Sequence, residues 1–156
     1  MQLYRPIMAR MMLTIANPKL QALYAYWLDK RAGRRFPARA DLDPIEMRYV
    51  LGDLMLVDVL DDKSMRFHIR LHGCNLFQHH GGELTGKMLH ELPATERREL
   101  VTQTFTQVAT TGEPIRAYRE FVLDDRWAQY EAVVLPLSSD GLRVNMLLVG
   151  QIYGNR

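Results

Sequence analysis

Hydrophobic positions divide the chain into segments of two different periods. From Asn17-Pro18, where Asn can accept backbone N–H bonds and Pro suits the first helical turn, Leu20, Leu23, Tyr24, Trp27 and Leu28 recur at helical spacing. That pattern predicts an amphipathic helix ending at Arg31–Gly33. A second start signal, Asp43-Pro44-Ile45-Glu46, predicts a short helix ending near Gly52, with Glu46 reaching back to the cap amide. The period then changes. Met55–Leu60 is a strand-like apolar run, and Arg66–His72 alternates, with Phe67, Ile69 and Leu71 opposed to Arg66, His68, Arg70 and His72. Asp61–Ser64 turns between them, so the two runs predict an antiparallel hairpin.

Beyond Gly73 the pattern predicts short helical pieces around Cys74–His80 and Thr85–Leu92. A longer helix follows from about Thr95 to Thr111, burying Leu100, Val101, Phe105, Val108 and Ala109 and stopped by Gly112. Three strands complete the chain, Ile115–Leu123, Trp127–Leu135 and Arg143–Tyr153, separated by Asp124-Asp125 and Ser138–Gly141. Two strand groups split by helices predict an α+β fold, a five-stranded antiparallel sheet with helices on one face and an extra N-terminal helix. The domain is expected over residues 17–156, with 1–16 as a flexible N-terminal segment.

Composition adds few constraints. The 156 residues suffice for one domain, and 47% hydrophobic with 24% charged residues is an ordinary globular balance. A net charge of +2 supplies no global field for nucleic acid or an anionic membrane, so neither is expected as a partner. The lone Cys74 excludes an intramolecular disulfide framework and fits a reducing compartment. No window approaches the ~20 apolar residues that span a bilayer, and the N-terminal patch Met11, Met12, Leu13, Ile15 lacks a secretory cleavage pattern. A cytoplasmic location is expected.

The element order, with Tyr26-Trp27, Pro37–Pro44, Phe67–Gly73 and Gly82–Lys87, resembles a PAS domain of the bacterial single-domain group PAS_5, over Leu20 to Ile152. The resemblance implies a sheet and small helices enclosing a central cavity, a role in signalling, and an N-terminal helix that mediates homodimers. It names no cofactor, since PAS cavities hold haem, flavin, small acids or nothing. With no effector domain after residue 153 in this sequence, output is expected to reach a separate signalling protein.

Other candidate chemistry is weaker. Gly81–Lys87 approaches the phosphate loop G-x-x-x-x-G-K-[ST], but Met88 stands where the Mg²⁺-binding hydroxyl belongs, and the resemblance makes Thr85 the cap of a short helix instead. His68 and His72, ~13 Å apart on one strand face at ~3.3 Å per residue, do not chelate one ion, and solvated or capping histidines are expected. Haem-binding PAS domains that use a histidine carry it on the long helix, and Thr95–Thr111 has none. Cys74-Asn75-Leu76-Phe77-Gln78 has the wrong order for the flavin-photoreceptor segment, so Cys74 is expected to be a small buried residue. The carboxylate pairs Asp61-Asp62 and Asp124-Asp125 fall in turns. No catalytic residue and no metal ligand is therefore assigned, and an enzyme is the weakest of three readings, behind a small-molecule sensor and an adaptor with a vestigial pocket.

The basic run Lys30, Arg31, Arg34, Arg35, Arg39 reads as a solvated connector, or as a local patch for nucleic acid, a membrane surface or an acidic partner, though it lacks the aromatic interleaving and recognition helix that nucleic acid would need. Leu20, Leu23, Tyr24 and Trp27 are either core or a dimer seam. The ligand-binding candidates are polar or aromatic residues set among apolar positions: Phe77, Tyr118, Tyr130, Asn145 and Gln151.

Overall fold

A computed structural model describes residues 12–123 and 125–155. Most of the N-terminal segment (1–11), and Asp124 of the second carboxylate pair, lie outside the described residues. Helix α1 (Pro18–Lys30) begins as its sequence dictates: Asn17 Oδ1 accepts from Lys19 N at 2.9 Å and Leu20 N at 3.4 Å, with Pro18 in the first turn. The Ala16 and Asn17 amides donate to Glu131 at 2.9 and 2.7 Å, and Arg116 Nε donates to the same carboxylate at 2.7 Å. Burial acts to raise the Glu131 pKa, but these donors outweigh it and hold the carboxyl below its usual range.

The sheet runs β2 (Met65–His72), β1 (Leu54–Asp61), β5 (Met146–Asn155), β4 (Arg126–Leu137), β3 (Ile115–Leu123), and every neighbouring pair is antiparallel. The period-2 geometry of its strands sorts the core into two layers. Leu54, Leu56, Val133, Leu135, Leu137 and Leu148 meet Leu20, Leu23 and Trp27 of α1 on one face. On the other, Met55, Val57, Val134, Leu147 and Val149 meet Phe105 and Val108 of the long helix α3 (Glu96–Thr111). Helix α3 is capped by Thr95 Oγ1, which accepts from Arg98 N, and ends at Gly112, whose φ of 72° is left-handed. The α+β sheet with helices on one face and an extra N-terminal helix is the architecture the sequence predicts, and the structure sets that extra helix on the opposite face.

Four local expectations are corrected. Asp43–Gly52 forms a series of tight turns followed by a 3₁₀ turn at Leu51–Asp53, not a helix. Glu46 leaves the cap amide to pair with Lys30 at 3.2 Å and to accept from the Tyr26 hydroxyl at 2.9 Å. Thr85-Gly86 is a turn that clips onto the outer edge of β2, with Gly86 N donating to Ile69 O at 2.7 Å and Ile69 N to Lys87 O at 2.9 Å; only Leu89–Glu91 of that stretch is helical, as 3₁₀. The last strand starts at Met146, so Asn145 precedes it.

The fourth correction shapes the site. Leu56 pairs with Leu71 but Val57 pairs with Ile69, which leaves Arg70 as an extra residue in β2. This bulge interrupts the strict alternation read from the sequence. Leu71 is turned outward at 38% exposure, and His72, expected on the polar face with His68, is turned inward at 6%.

Candidate functional site

Between α3 and the inner face of the sheet lies a cavity of about 230 Å³. All five strands contribute to its walls: Met55, Ile69, Ala117 and Arg119, Tyr130 with Ala132 and Val134, and Val149 with Gln151. Thr95 to Phe105 close one side, and His79 and His80 of the short helix α2 (Phe77–His80) another. The candidates Tyr130 and Gln151 stand in this wall. Phe77 lies behind it, stacked on His72 at 5.1 Å between ring centroids. Tyr118, between two cavity-lining neighbours on β3, faces the opposite side, where its hydroxyl shares its one proton between the side-chain oxygens of Gln129 and Glu120. Asn145 is exposed, and its Oδ1 accepts from Ser139 N at 2.9 Å beside a separate groove.

The inward turn of His72 starts a hydrogen-bonded chain whose direction is fixed by its first donor. Leu84 N–H donates to His72 Nδ1 at 3.1 Å, so neutral His72 carries its proton on Nε2 and donates to His80 Nδ1 at 2.8 Å. His80 Nε2 then donates to the Tyr153 hydroxyl at 3.1 Å, and Gln151 Nε2 donates to the same oxygen at 3.2 Å. Tyr153 therefore accepts twice and retains its own proton as a donor. His79 stacks flat on its ring, 3.8 Å between centroids. These residues are not the solvated or capping histidines expected: His72 is buried, His80 is mostly so, and the adjacent His79 and His80 converge on one tyrosine. The sequence signal that could have revealed them is the polar His72 at the last position of an alternating strand, but the bulge that turns it inward leaves no mark in composition.

Burial disfavours the charged form of all three rings, with nearby His72 and Arg97 acting in the same direction on His80, whose pKa falls to about 3. The unfolded chain takes up these protons near pH 6.5 and the folded chain does not. Their contribution is therefore complete above pH 6.5 and is lost as pH falls below it, by up to about 1.4 kcal/mol per pH unit for one such histidine. Carboxylates such as Glu131 act in the same direction only below ~4.5. Urea unfolding midpoints should thus fall between pH 6.5 and 5, and His80→Gln should flatten that fall. A flat midpoint over this window in the unsubstituted chain would contradict the buried neutral relay.

Beside the relay stands Arg97, in the first turn of α3. Its guanidinium carbon lies 5.2 Å from the ring centroid of Phe121 and 5.3 Å from those of Tyr130 and Tyr153, a three-sided aromatic cage. Nη2 is buried without a hydrogen-bond partner. Burial pushes the Arg97 pKa down, opposed by Tyr130, and the Tyr130 phenol is pushed up by its own burial. The sequence offered no sign of this group, because an arginine in the first turn of an amphipathic helix reads as a solvated residue.

The remaining motifs are accounted for locally. Cys74 is exposed, not buried as expected. Asp62 accepts from Lys63 N and Arg66, and Asp61 pairs with Arg143, as turn carboxylates do. In the basic run, Arg34 pairs with Asp41 at 2.7 Å, Arg35 donates to Thr111 O at 2.6 Å, and Arg31 lies over the Trp27 ring. Leu20, Leu23, Tyr24 and Trp27 are buried against the chain's own sheet. Among the described residues, no three His, Cys, Asp or Glu side chains gather as a metal site. No described helix is long and apolar enough to cross a membrane.

Comparison with solved structures finds distant likenesses. The chain is similar to a fungal LOV-domain photoreceptor from a study of blue-light and oxidative-stress integration, with a TM-score of 0.42 and 14% identity over 64% of this chain and 72% of that one. It is also similar to the PAS domain of a protein from Colwellia psychrerythraea, with a TM-score of 0.45 and 13% identity over 73% of this chain and 98% of the other. No curated protein matches. The PAS_5 family model, described as a PAS domain, matches residues 15–150. That match spans nearly the whole domain, and the chain belongs to the PAS_5 family of PAS domains, a family of signalling modules.

Proposed function

We propose that this chain is a small-molecule sensor in which occupancy of the cavity between α3 and the sheet is the signal, passed in trans to a separate signalling protein. The observation that carries this reading is the cavity itself: apolar walls drawn from all five strands, with a few polar groups, Tyr130, Gln151, His80 and Arg97, held beside them. The fixed relay behind the wall supports it, because a satisfied network keeps the polar groups in one arrangement. Homodimers and a cytoplasmic setting belong to the same reading, and catalysis does not.

A second reading, an adaptor acting through the sheet surface, is favoured by one observation. Val122 and Trp127 are cross-strand partners, each more than half exposed, at the β3–β4 turn. A thermal-shift screen against a metabolite library separates the two. The sensor reading expects at least one compound to raise the melting temperature by several degrees, following RT ln(1 + [L]/Kd) as its concentration rises. A screen in which nothing does so would leave the adaptor.

A further inference from the structure

We propose that the cavity takes a small apolar carboxylate, held through its anionic end by Arg97. This rests on the sensor reading above and adds the ligand's chemical class.

Charge inside the cavity has one sign. The wall contains Arg97, Arg98 and Arg119 and, among its described residues, no aspartate or glutamate. Two of those arginines have acceptors within the protein. Arg98 Nη1 donates to His90 O at 3.1 Å and to Leu92 O at 2.6 Å, and Arg119 Nη1 donates to Tyr118 O at 3.2 Å. Arg97 is different, because its buried Nη2 has no acceptor. The Tyr130 phenol pairs with the guanidinium and the faces of Phe121, Tyr130 and Tyr153 attract the cation, but none of these gives Nη2 an acceptor.

A partly buried cation with one N–H group left unsatisfied is stabilised by a group that completes its pairing, and the group that matches a planar guanidinium is a carboxylate, which accepts two parallel N–H bonds. Tyr153 adds a second donor to the cluster. With His80 and Gln151 both donating to its oxygen, its hydroxyl can offer only its proton. The rest of the wall, from Met55, Ile69, Leu100, Val101 and Val149, is apolar, which suits a hydrocarbon or aromatic body. A volume of about 230 Å³ lies below the ~300–1,000 Å³ usual for drug-sized ligands and limits that body to a small one.

Calorimetric titration with two matched pairs tests the assignment: octanoate against octanamide, and 3-phenylpropionate against its amide. Each is measured on the full chain and on Arg97→Met, with the melting temperature of each ligand-free protein recorded. At least one acid should bind its cavity at least about tenfold more tightly than the corresponding amide, a ratio set by charged hydrogen bonds. Arg97→Met should remove that preference and should melt no lower than the unsubstituted chain, since it removes a buried N–H group that has no acceptor. Amides binding as tightly as acids would overturn the anionic class while leaving the sensor reading in place. So would a variant that keeps the preference for acid, or one that melts well below the parent, which would make Arg97 a structural member of its aromatic cage. Failure of all four probes to bind, at a concentration where some other compound in the metabolite screen does, would overturn the carboxylate alone; failure of every compound would overturn both readings.

Discussion

Gly73→Ala should leave little or no folded protein at 37 °C. A methyl group at this position would lie 2.3 Å from Gly52 O, 2.6 Å from Gly52 C and 2.9 Å from Leu54 O, all backbone atoms that cannot rotate away. The close approach is where β2 leaves the sheet and passes the 3₁₀ turn before β1, and Gly73 N donates there to Leu54 O at 2.8 Å. The φ of Gly73, −66°, is open to any residue, so the requirement is for space and not for conformational freedom. Relief of the clash means separating the two segments, with loss of that hydrogen bond and displacement of the buried His72 beside it. A cost above ~4 kcal/mol is expected, comparable with the whole stability of a domain near the lower end of the ~5–15 kcal/mol range. Circular dichroism and urea unfolding check it, and a variant with a native midpoint would show that the two backbones are not in contact.

Trp27→Ala should destabilise the chain by about 3–5 kcal/mol. The indole is 2% exposed, and its Nε1 donates to Pro136 O at 2.9 Å in the sheet. Truncation opens a cavity in the layer between α1 and the sheet and removes the indole donor from the Pro136 carbonyl. Gly150 shows how closely this layer is packed: a methyl there would approach Leu23 Cδ2 to 2.7 Å and Leu20 Cδ2 to 2.8 Å. The loss should be independent of protein concentration, because Leu20, Leu23, Tyr24 and Trp27 pack within one chain. A midpoint that instead rises with concentration in the unsubstituted protein, and loses that dependence in Trp27→Ala, would mark the same helix as part of a dimer seam.

Much of the fold could be read from the sequence because it follows local rules. Asn17-Pro18, Thr95 and Gly112 mark helix ends through caps that need only their own neighbours. Alternation marked Arg66–His72, an apolar run marked Met55–Leu60, and Ile115–Leu123 has the bounds read from the pattern. The errors fall where distant parts of the chain decide. Asp43-Pro44 has the chemistry of a helix start, yet Glu46 is drawn to Tyr26 and Lys30, and the segment closes as turns. Asn145 reads as a strand residue, but it forms the corner that returns to Ser139.

The site was less legible than the fold. Tyr130 and Gln151 were accessible to sequence reasoning because a polar group amid apolar strand positions must have somewhere to go. Tyr118 obeys the same rule and faces the other side of the sheet, since pattern alone does not say which face is which. His72, His80 and Arg97 were missed for a physical reason. One residue of bulge at Arg70 reverses the facing of His72, and the burial of Arg97 depends on Phe121, Tyr130 and Tyr153, brought to it from three different strands.

A cavity that is a working ligand site should retain what it binds. Native mass spectrometry of the full chain after exposure to a bacterial metabolite extract tests it most directly, run beside Ala132→Phe, which places a ring in the cavity from β4 and whose folding is verified by its near-ultraviolet dichroism. A small-molecule adduct is expected on the unsubstituted chain and should be absent from the folded variant. A chain that carries no adduct, or one equally present on Ala132→Phe, would contradict it.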